Sequence, residues 1–365
     1  GLTARLRSGD SMRELEEITC RIKPGEADDI GWTVETPAGA DGLEWEVTAR
    51  EKDAEADDAI RVRQKVVPAV PVRVVQATLE RLDKPLALNV ARPAEALPGK
   101  GGMAVRLSPT LAGAMPGVER YMREYPFGCM EQRVSRAIAL NDETLWKGIL
   151  ADLPRYLDDD GLVKYFPVCA KGSDVLTAYL MAIADEAGRE IPADLKKRLE
   201  KALAGFVEGR VIRHSALPTA DVSIRKLAAL EALSRSGQTE PDMLGSITIE
   251  PDLWPTSAVL DWISLLARVP QITDSARLRE EAMQTLRTRL NLRGTSLGFS
   301  TEAADNLWWL MVSGDVNAVR TILVLFDLPE WRADLPRLVR GAMARQRQGR
   351  WNTTTANAWG VLAMA

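Results

Sequence analysis

Apolar and polar residues alternate at period two near the start of the chain. "IGWTVETP" (Ile30 to Pro37) and "LEWEVTARE" (Leu43 to Glu51) are the clearest cases, separated by the turn-rich "AGADG". Such alternation predicts half-buried strands of an antiparallel sheet. "AIRVRQKVVPAVPVRVVQATLERL" continues it, with Pro68 and Pro71 as breakers, and "DKPLALNVARPAEALPGKGG" adds a strand and a Pro/Gly-rich link. From about Ser108 the period becomes helical. Stretches beginning at Ser173, Asp221, Thr256, Thr301 and Thr353 each open on an N-cap residue and run into an Ala-rich apolar stripe. Amphipathic segments such as "ADLKKRLEKALAGFVEG" lie between them. The pattern predicts repeated helix pairs, which close into an α/α toroid or stay open as a solenoid; periodicity does not choose between these. The expected fold class is therefore α+β and multidomain, with β-sandwich segments followed by helix hairpins.

Composition narrows the function. Apolar residues make up 46% of the 365, enough for sizeable cores, and the net charge is −4 with both signs interleaved. No Lys/Arg stripe is present, so nucleic acid is not an expected partner. No apolar run reaches the ~18 residues of a membrane span. The start, "GLTARLRSGD", is not a signal peptide, and "NAWGVLAMA" ends inside a helical pattern; both are expected of a piece of a longer protein.

Cysteine is scarce: Cys20, Cys129 and Cys169, with His214 the sole histidine. That set builds neither a zinc site nor an obvious Cys-His dyad, so no metal and no cofactor are expected. Cys20 and Cys169 read as small buried apolar residues, a disulfide between them remaining open. Asp158, Asp159 and Asp160 lack EF-hand spacing and read as a solvated turn. Trp308 and Trp309, in "LWWLMV", read as core, and "RELEE" (Arg13 to Glu17) as charged surface.

Cys129 stands in "YPFGCMEQR". Pro126 fixes its own φ, Gly128 frees the backbone as a turn residue, and a helix follows whose first turn holds Cys129 to Gln132. Positions i and i+3 on a helix lie about 5–6 Å apart at Cβ, so the Cys129 sulfur reaches the Gln132 amide carbon. A helix N-terminus lowers a thiol pKa, which favours the thiolate needed to attack a carboxamide. Loss of ammonia would leave an intramolecular thioester. Glu131 would cap backbone N–H groups or handle protons.

"GCMEQ" resembles the Gly-Cys-x-Glu-Gln thioester motif of the alpha-2-macroglobulin and complement superfamily. "YPFGCMEQRVSR" is most similar to the bacterial alpha-2-macroglobulins, where Tyr-Pro-Tyr-Gly-Cys-Leu-Glu-Gln is usual, Phe127 and Met130 being mild departures. "LVKYFP…SDVLTAYLMAIADEAG" and "WNTTTANAW" extend the resemblance over Leu107 to Ala365. It implies three parts: a partial macroglobulin-like β-sandwich at 1–68, the first part of a CUB-like β domain at 69–105, and a thioester domain built as an α/α toroid at 106–365. It also implies a single-use protease trap rather than a turnover enzyme. After bait cleavage elsewhere in the chain, a lysine amine of the protease attacks the Gln132 carbonyl and displaces Cys129, with Tyr125 either shielding the thioester from water or simply packing at the start of a helix. The expected partners are target proteases, the remaining domains of the full-length chain and cell-envelope proteins. The expected location is the periplasm, as a lipoprotein in full-length form. Complement-type relatives place a catalytic histidine farther along than His214, which reads as a loop residue, so amines rather than hydroxyls are the expected acceptors. The alternative function is a cell-envelope binding scaffold whose thioester is not formed or not used. An α/α-toroid enzyme would need paired carboxylates or Asp-rich metal motifs, and a transglutaminase or cysteine protease would need His214 beside Cys129.

Overall fold

A computed structural model describes residues 1–8, 11–23, 25–37, 40–52, 56–67, 115–216, 221–247, 254–299 and 307–365, with isolated positions between 82 and 107. The chain divides into two compact units, Gly1–Met103 and Ala104–Ala365.

The first unit holds an antiparallel sheet of β1 (Leu2–Ser8), β2 (Ser11–Glu14), β3 (Gly42–Arg50) and β4 (Asp57–Lys65) in the order β2-β1-β3-β4. Ala4, Leu6 and Leu43 are its buried apolar residues among those described. Leu6 pairs with Trp45, and Trp45 with Val62, so β3 is the central strand of the three. The alternation of Leu43 to Glu51 is thus a strand, whereas that of Ile30 to Pro37 is not. Residues 30–37 join no ladder among the described residues; Trp32 donates its indole N–H to the Glu16 carbonyl at 2.8 Å. Arg13 and Glu14 of "RELEE" belong to β2. Most of 69–105, expected to be CUB-like, lies outside the described residues.

The second unit is helical. Its helices are α1 (Pro116–Glu124), α2 (Met130–Ala139), α3 (Glu143–Asp152), α4 (Asp174–Glu186), α5 (Ala193–Val207), α6 (Val222–Ser234), α7 (Thr256–Arg268), α8 (Ser275–Arg289), α9 (Gly314–Leu325), α10 (Leu335–Ala344) and α11 (Thr354–Met364). A hairpin of β5 (Leu290–Arg293) and β6 (Ser296–Phe299) follows α8. Side-chain caps start several of them: Asp142 accepts from the Thr144 and Leu145 amides, Ser173 from Leu176, Ser313 from Val316 and Thr353 from Ala356.

Two kinds of helix emerge. α4, α6, α7, α9 and α11 are buried on nearly every side; α7 is buried from Thr256 through Leu266. α3, α5, α8 and α10 bury one stripe each. The order of packing returns to its start: α2 packs on α4, α4 on α6, α6 on α7, α7 on α9, α9 on α11, and α11 on α2. α3, α5, α8 and α10 pack on α2, α6, α7 and α9 respectively. Small residues permit the close approaches. A Cβ on Gly360 of α11 would meet the Trp351 ring at 2.2 Å, and Trp351 is wholly buried with its indole N–H on the Ala342 carbonyl at 2.9 Å.

Several sequence expectations change here. Trp308 is 65% exposed in a short 3₁₀ turn, not core, and the neighbouring Trp309 donates its indole N–H to Asp221 at 2.8 Å. The helical stretch expected over Thr301–Asp315 shows only a 3₁₀ turn at Trp308–Leu310 among its described residues, and α9 begins at Gly314, at the expected close of that stretch; residues 301–306 are outside the described set. Asp158 is buried rather than solvated. It accepts from the amides of Asp160, Leu162 and Gly172 and pairs with Arg213, and these donors hold its carboxyl below the usual range despite its burial. Cys20 and Cys169 are half-buried free thiols, and Cys129 is also free.

Candidate functional site

Cys129 is the N-cap of α2, with extended backbone at φ −67° and ψ 166°. Cysteine is an unusual cap because sulfur is a weak acceptor. Here it completes a reciprocal capping box. The Cys129 sulfur accepts from the backbone N–H of Gln132, and the Gln132 side chain returns the bond, its Oε1 accepting from the Cys129 N–H at 3.0 Å. A third donor of the first turn, the Met130 N–H, is satisfied by the Tyr165 carbonyl at 2.9 Å. The i and i+3 residues are therefore folded onto each other by the helix start itself.

This geometry has chemical content. Attack of the Cys129 sulfur on the Gln132 amide carbon would push negative charge onto Oε1, and that atom already faces a backbone N–H donor. The donor is in place before charge develops, which is the arrangement that stabilises a tetrahedral intermediate. The thiol is not the ready thiolate expected of a helix N-terminus. Burial pushes the Cys129 thiol up, and the nearby Glu131 charge adds to this; hydrogen bonds from the Gln132 and Glu131 amides only partly offset them.

The segment before Cys129 is held by Arg136, whose guanidinium donates to the carbonyls of Tyr125 and Phe127. Tyr125 is half-buried. Its ring stands edge-on between Tyr121, at 5.2 Å, and Phe127, at 5.7 Å, and Arg350 lies 4.0 Å over the Tyr121 ring. Phe127 is 63% exposed. Gly128 does not use the left-handed backbone, and a Cβ there would meet nothing within 4 Å. The freedom expected of this glycine is thus not spent inside the chain.

Glu131 caps no backbone N–H among the described residues. It is buried, and its Oε1 accepts from the hydroxyls of Ser135 at 2.7 Å and Thr354 at 2.8 Å. Ser135 lies 2.7 Å from the Tyr179 hydroxyl. Burial pushes the Glu131 carboxyl up. Thr354, Ser135 and Tyr179 were invisible as site residues in the sequence, because what joins them is a chain of hydroxyls in the fold, Ser135 and Thr354 on Glu131 and Tyr179 on Ser135. His214 is exposed on its loop, and the described residues contain no cluster of groups suited to hold a metal ion.

No family model and no curated protein matches the chain. Solved structures do share its fold. The native conformation of Escherichia coli alpha-2-macroglobulin aligns with TM-score 0.53 at 18% identity, over 99% of this chain and 24% of that one. The E. coli protein from domain MG7 to its C-terminus aligns with TM-score 0.52 at 18% identity, over 100% of this chain and 60% of that one. Salmonella alpha-2-macroglobulin reacted with methylamine aligns with TM-score 0.52 at 17% identity, over 99% and 25%. The chain thus spans about a quarter of the longer structures and three-fifths of the shorter. The shared fold is that of the C-terminal part of a bacterial alpha-2-macroglobulin.

Proposed function

We propose that the chain is the thioester-bearing module of a bacterial alpha-2-macroglobulin-like protease inhibitor. The observation that carries the reading is the reciprocal bonding of Cys129 and Gln132, which sets a thiol and a carboxamide face to face at one helix start. In thioester formation the sulfur bonds to the Gln132 amide carbon, the carbon–nitrogen bond breaks, and the thiol proton leaves with the nitrogen as ammonia. In capture, a lysine amine bonds to that carbon and the carbon–sulfur bond breaks. The amine's surplus proton ends on the Cys129 thiol, leaving an amide between Gln132 and the protease. Each site reacts once, so the module is a trap and not a turnover enzyme.

The closed order of packing from α2 back to α11 favours the α/α toroid over an open solenoid, with residues 106–365 as the thioester domain behind macroglobulin-like and CUB-like β segments. Tyr125, in its aromatic stack, is proposed to shield the bond from water. The rest of a longer chain would supply the bait region, and the periplasm is the proposed location. With His214 exposed and no other histidine in the sequence, acceptors are proposed to be amines; equal labelling by glycerol and methylamine would exclude this.

One observation favours the alternative, a binding scaffold without the bond: burial raises the Cys129 thiol and slows its attack. Intact mass with and without methylamine separates the two. A mass short by one ammonia, rising by one methylamine as a thiol is freed, is the expected result. Full mass and no uptake would move the scaffold ahead.

A further inference from the structure

Glu131 is a buried carboxylate whose described partners are all hydroxyls; among the described residues it forms no ion pair. A buried charge without a counter-ion is costly and is kept in place only by well-formed hydrogen bonds. Both bonds end on Oε1. Because Ser135 gives its proton to Glu131, Tyr179 must give its own to Ser135. The donors therefore run Tyr179 to Ser135 to Glu131, and Thr354 to Glu131 from the opposite side.

Thr354 is the odd member. It belongs to α11, 223 residues beyond Glu131, and is itself buried. The start of its helix is braced by hydrogen bonds. Asn357 donates to the carbonyls of Trp351 at 2.9 Å and Thr353 at 2.7 Å, and accepts from the Trp351 N–H at 3.1 Å. Glu131 lies between Cys129 and Gln132 in the first turn of α2, so the hydroxyls that hold its side chain tether that turn to the body of α2 and to α11.

We propose that Thr354 is a positioning residue for acyl transfer: its hydroxyl, presented by α11, fixes Glu131 and thereby the first turn of α2 that holds Cys129 and Gln132 together. The inference rests on the thioester reading above and adds to it a distant residue on which bond formation depends. The titratable groups that influence or face Glu131 are Cys129 on its own turn, Tyr121 on α1, Tyr165 on the loop before α4 and Tyr179 on α4. Ser135 on α2 and Thr354 on α11 complete its surroundings.

The test uses the 365-residue chain with Thr354→Val, which removes the hydroxyl at nearly constant volume, and Thr354→Ser, which restores it. Val361→Ala, two turns farther along the same helix, is the control for loss of packing. Intact mass gives the fraction carrying the thioester, and thiol release by methylamine gives its reaction rate as a function of pH. T354V is expected to form the thioester up to about a hundredfold more slowly, the scale of loss for a misplaced reacting group, and so to carry it at a clearly lower fraction than wild type. The acid limb of its methylamine rate is expected to move to higher pH, because the carboxylate has lost a donor to its charged form. T354S is expected to restore both, and V361A to leave both at wild type. Wild-type occupancy and an unmoved acid limb in T354V would overturn the proposal, as would an equal loss in V361A. Full mass in the wild type would instead remove the thioester reading itself, and the proposal with it.

Discussion

Gln132 turns its side chain back along α2 so that Oε1 accepts the Cys129 N–H at 3.0 Å, while its own N–H points to the Cys129 sulfur. The bonds that begin the helix are the same ones that bring the thiol to the amide. Stability and chemistry are therefore separable by a single atom.

Cys129→Ser makes that separation. Serine is a far better N-cap than cysteine and forms the standard box with a Gln at N3. The variant should melt at or above the wild-type temperature, a gain of up to about 1 kcal/mol, while showing full mass and no methylamine uptake. A clear fall in melting temperature would mean that the sulfur contributes more than a cap.

Two buried glutamates should give opposite pH dependence. Three arginines, Arg235, Arg268 and Arg320, act against the burial of Glu231 and pull its carboxyl down to about 2. Its folded value is depressed, so its contribution, roughly 3 kcal/mol, is present above the unfolded value and is lost as pH falls from about 4.5 toward 2. Glu131 is raised by burial. Its folded state holds the proton more tightly, so stability declines as pH rises from the unfolded value through the folded one. Thermal melts against pH should show Glu231→Gln losing the acid-side fall, and E131Q losing the decline above it. Parallel curves for wild type and E131Q would remove the account given for Glu131.

Gly360→Ala tests the approach of α11 to Trp351. The added carbon would meet the indole at 2.2 Å, and neither group has room to retreat. Overpacking of this kind costs about 1–3 kcal/mol. A drop in melting temperature of that order is expected in thermal denaturation, and a neutral result would mean the Trp351 pocket is looser than its burial implies.

Gly128→Ala should leave stability within about 0.5 kcal/mol, since the backbone is ordinary and nothing stands within 4 Å. If the bare backbone serves access from outside, the methylamine rate falls while the melt stays put. An unchanged rate would assign the glycine no role in the isolated chain.

Much of this was legible from the sequence, and for local reasons. The N-caps Ser173 and Thr353 and the Ala-rich stripes behind them depend on neighbours a few residues away. The spacing of Cys129 and Gln132 is likewise local. What failed depends on distant partners. Ile30 to Pro37 alternates as a strand should but joins no ladder among the described residues. Asp158 looks like a solvated turn until Arg213 arrives from 55 residues away. The thiol follows its burial more than its helix dipole, and burial is a property of the whole unit. Thr354 stood inside "WNTTTANAW", but nothing in that stretch marked its hydroxyl as a partner of Glu131, 223 residues earlier in the chain.

The reach from Glu131 to Thr354 also has a meaning in time. A chain leaving the ribosome at ~5–20 residues per second needs roughly 10–45 s to make the 223 residues between them. Until then α2 can start but its carboxylate has no second hydroxyl, and the thiol and amide sit in a turn not yet locked. On the thioester reading proposed above, a nascent chain would thereby be spared a reactive acyl group while surrounded by amines, and completion of α11 would be the step that arms it.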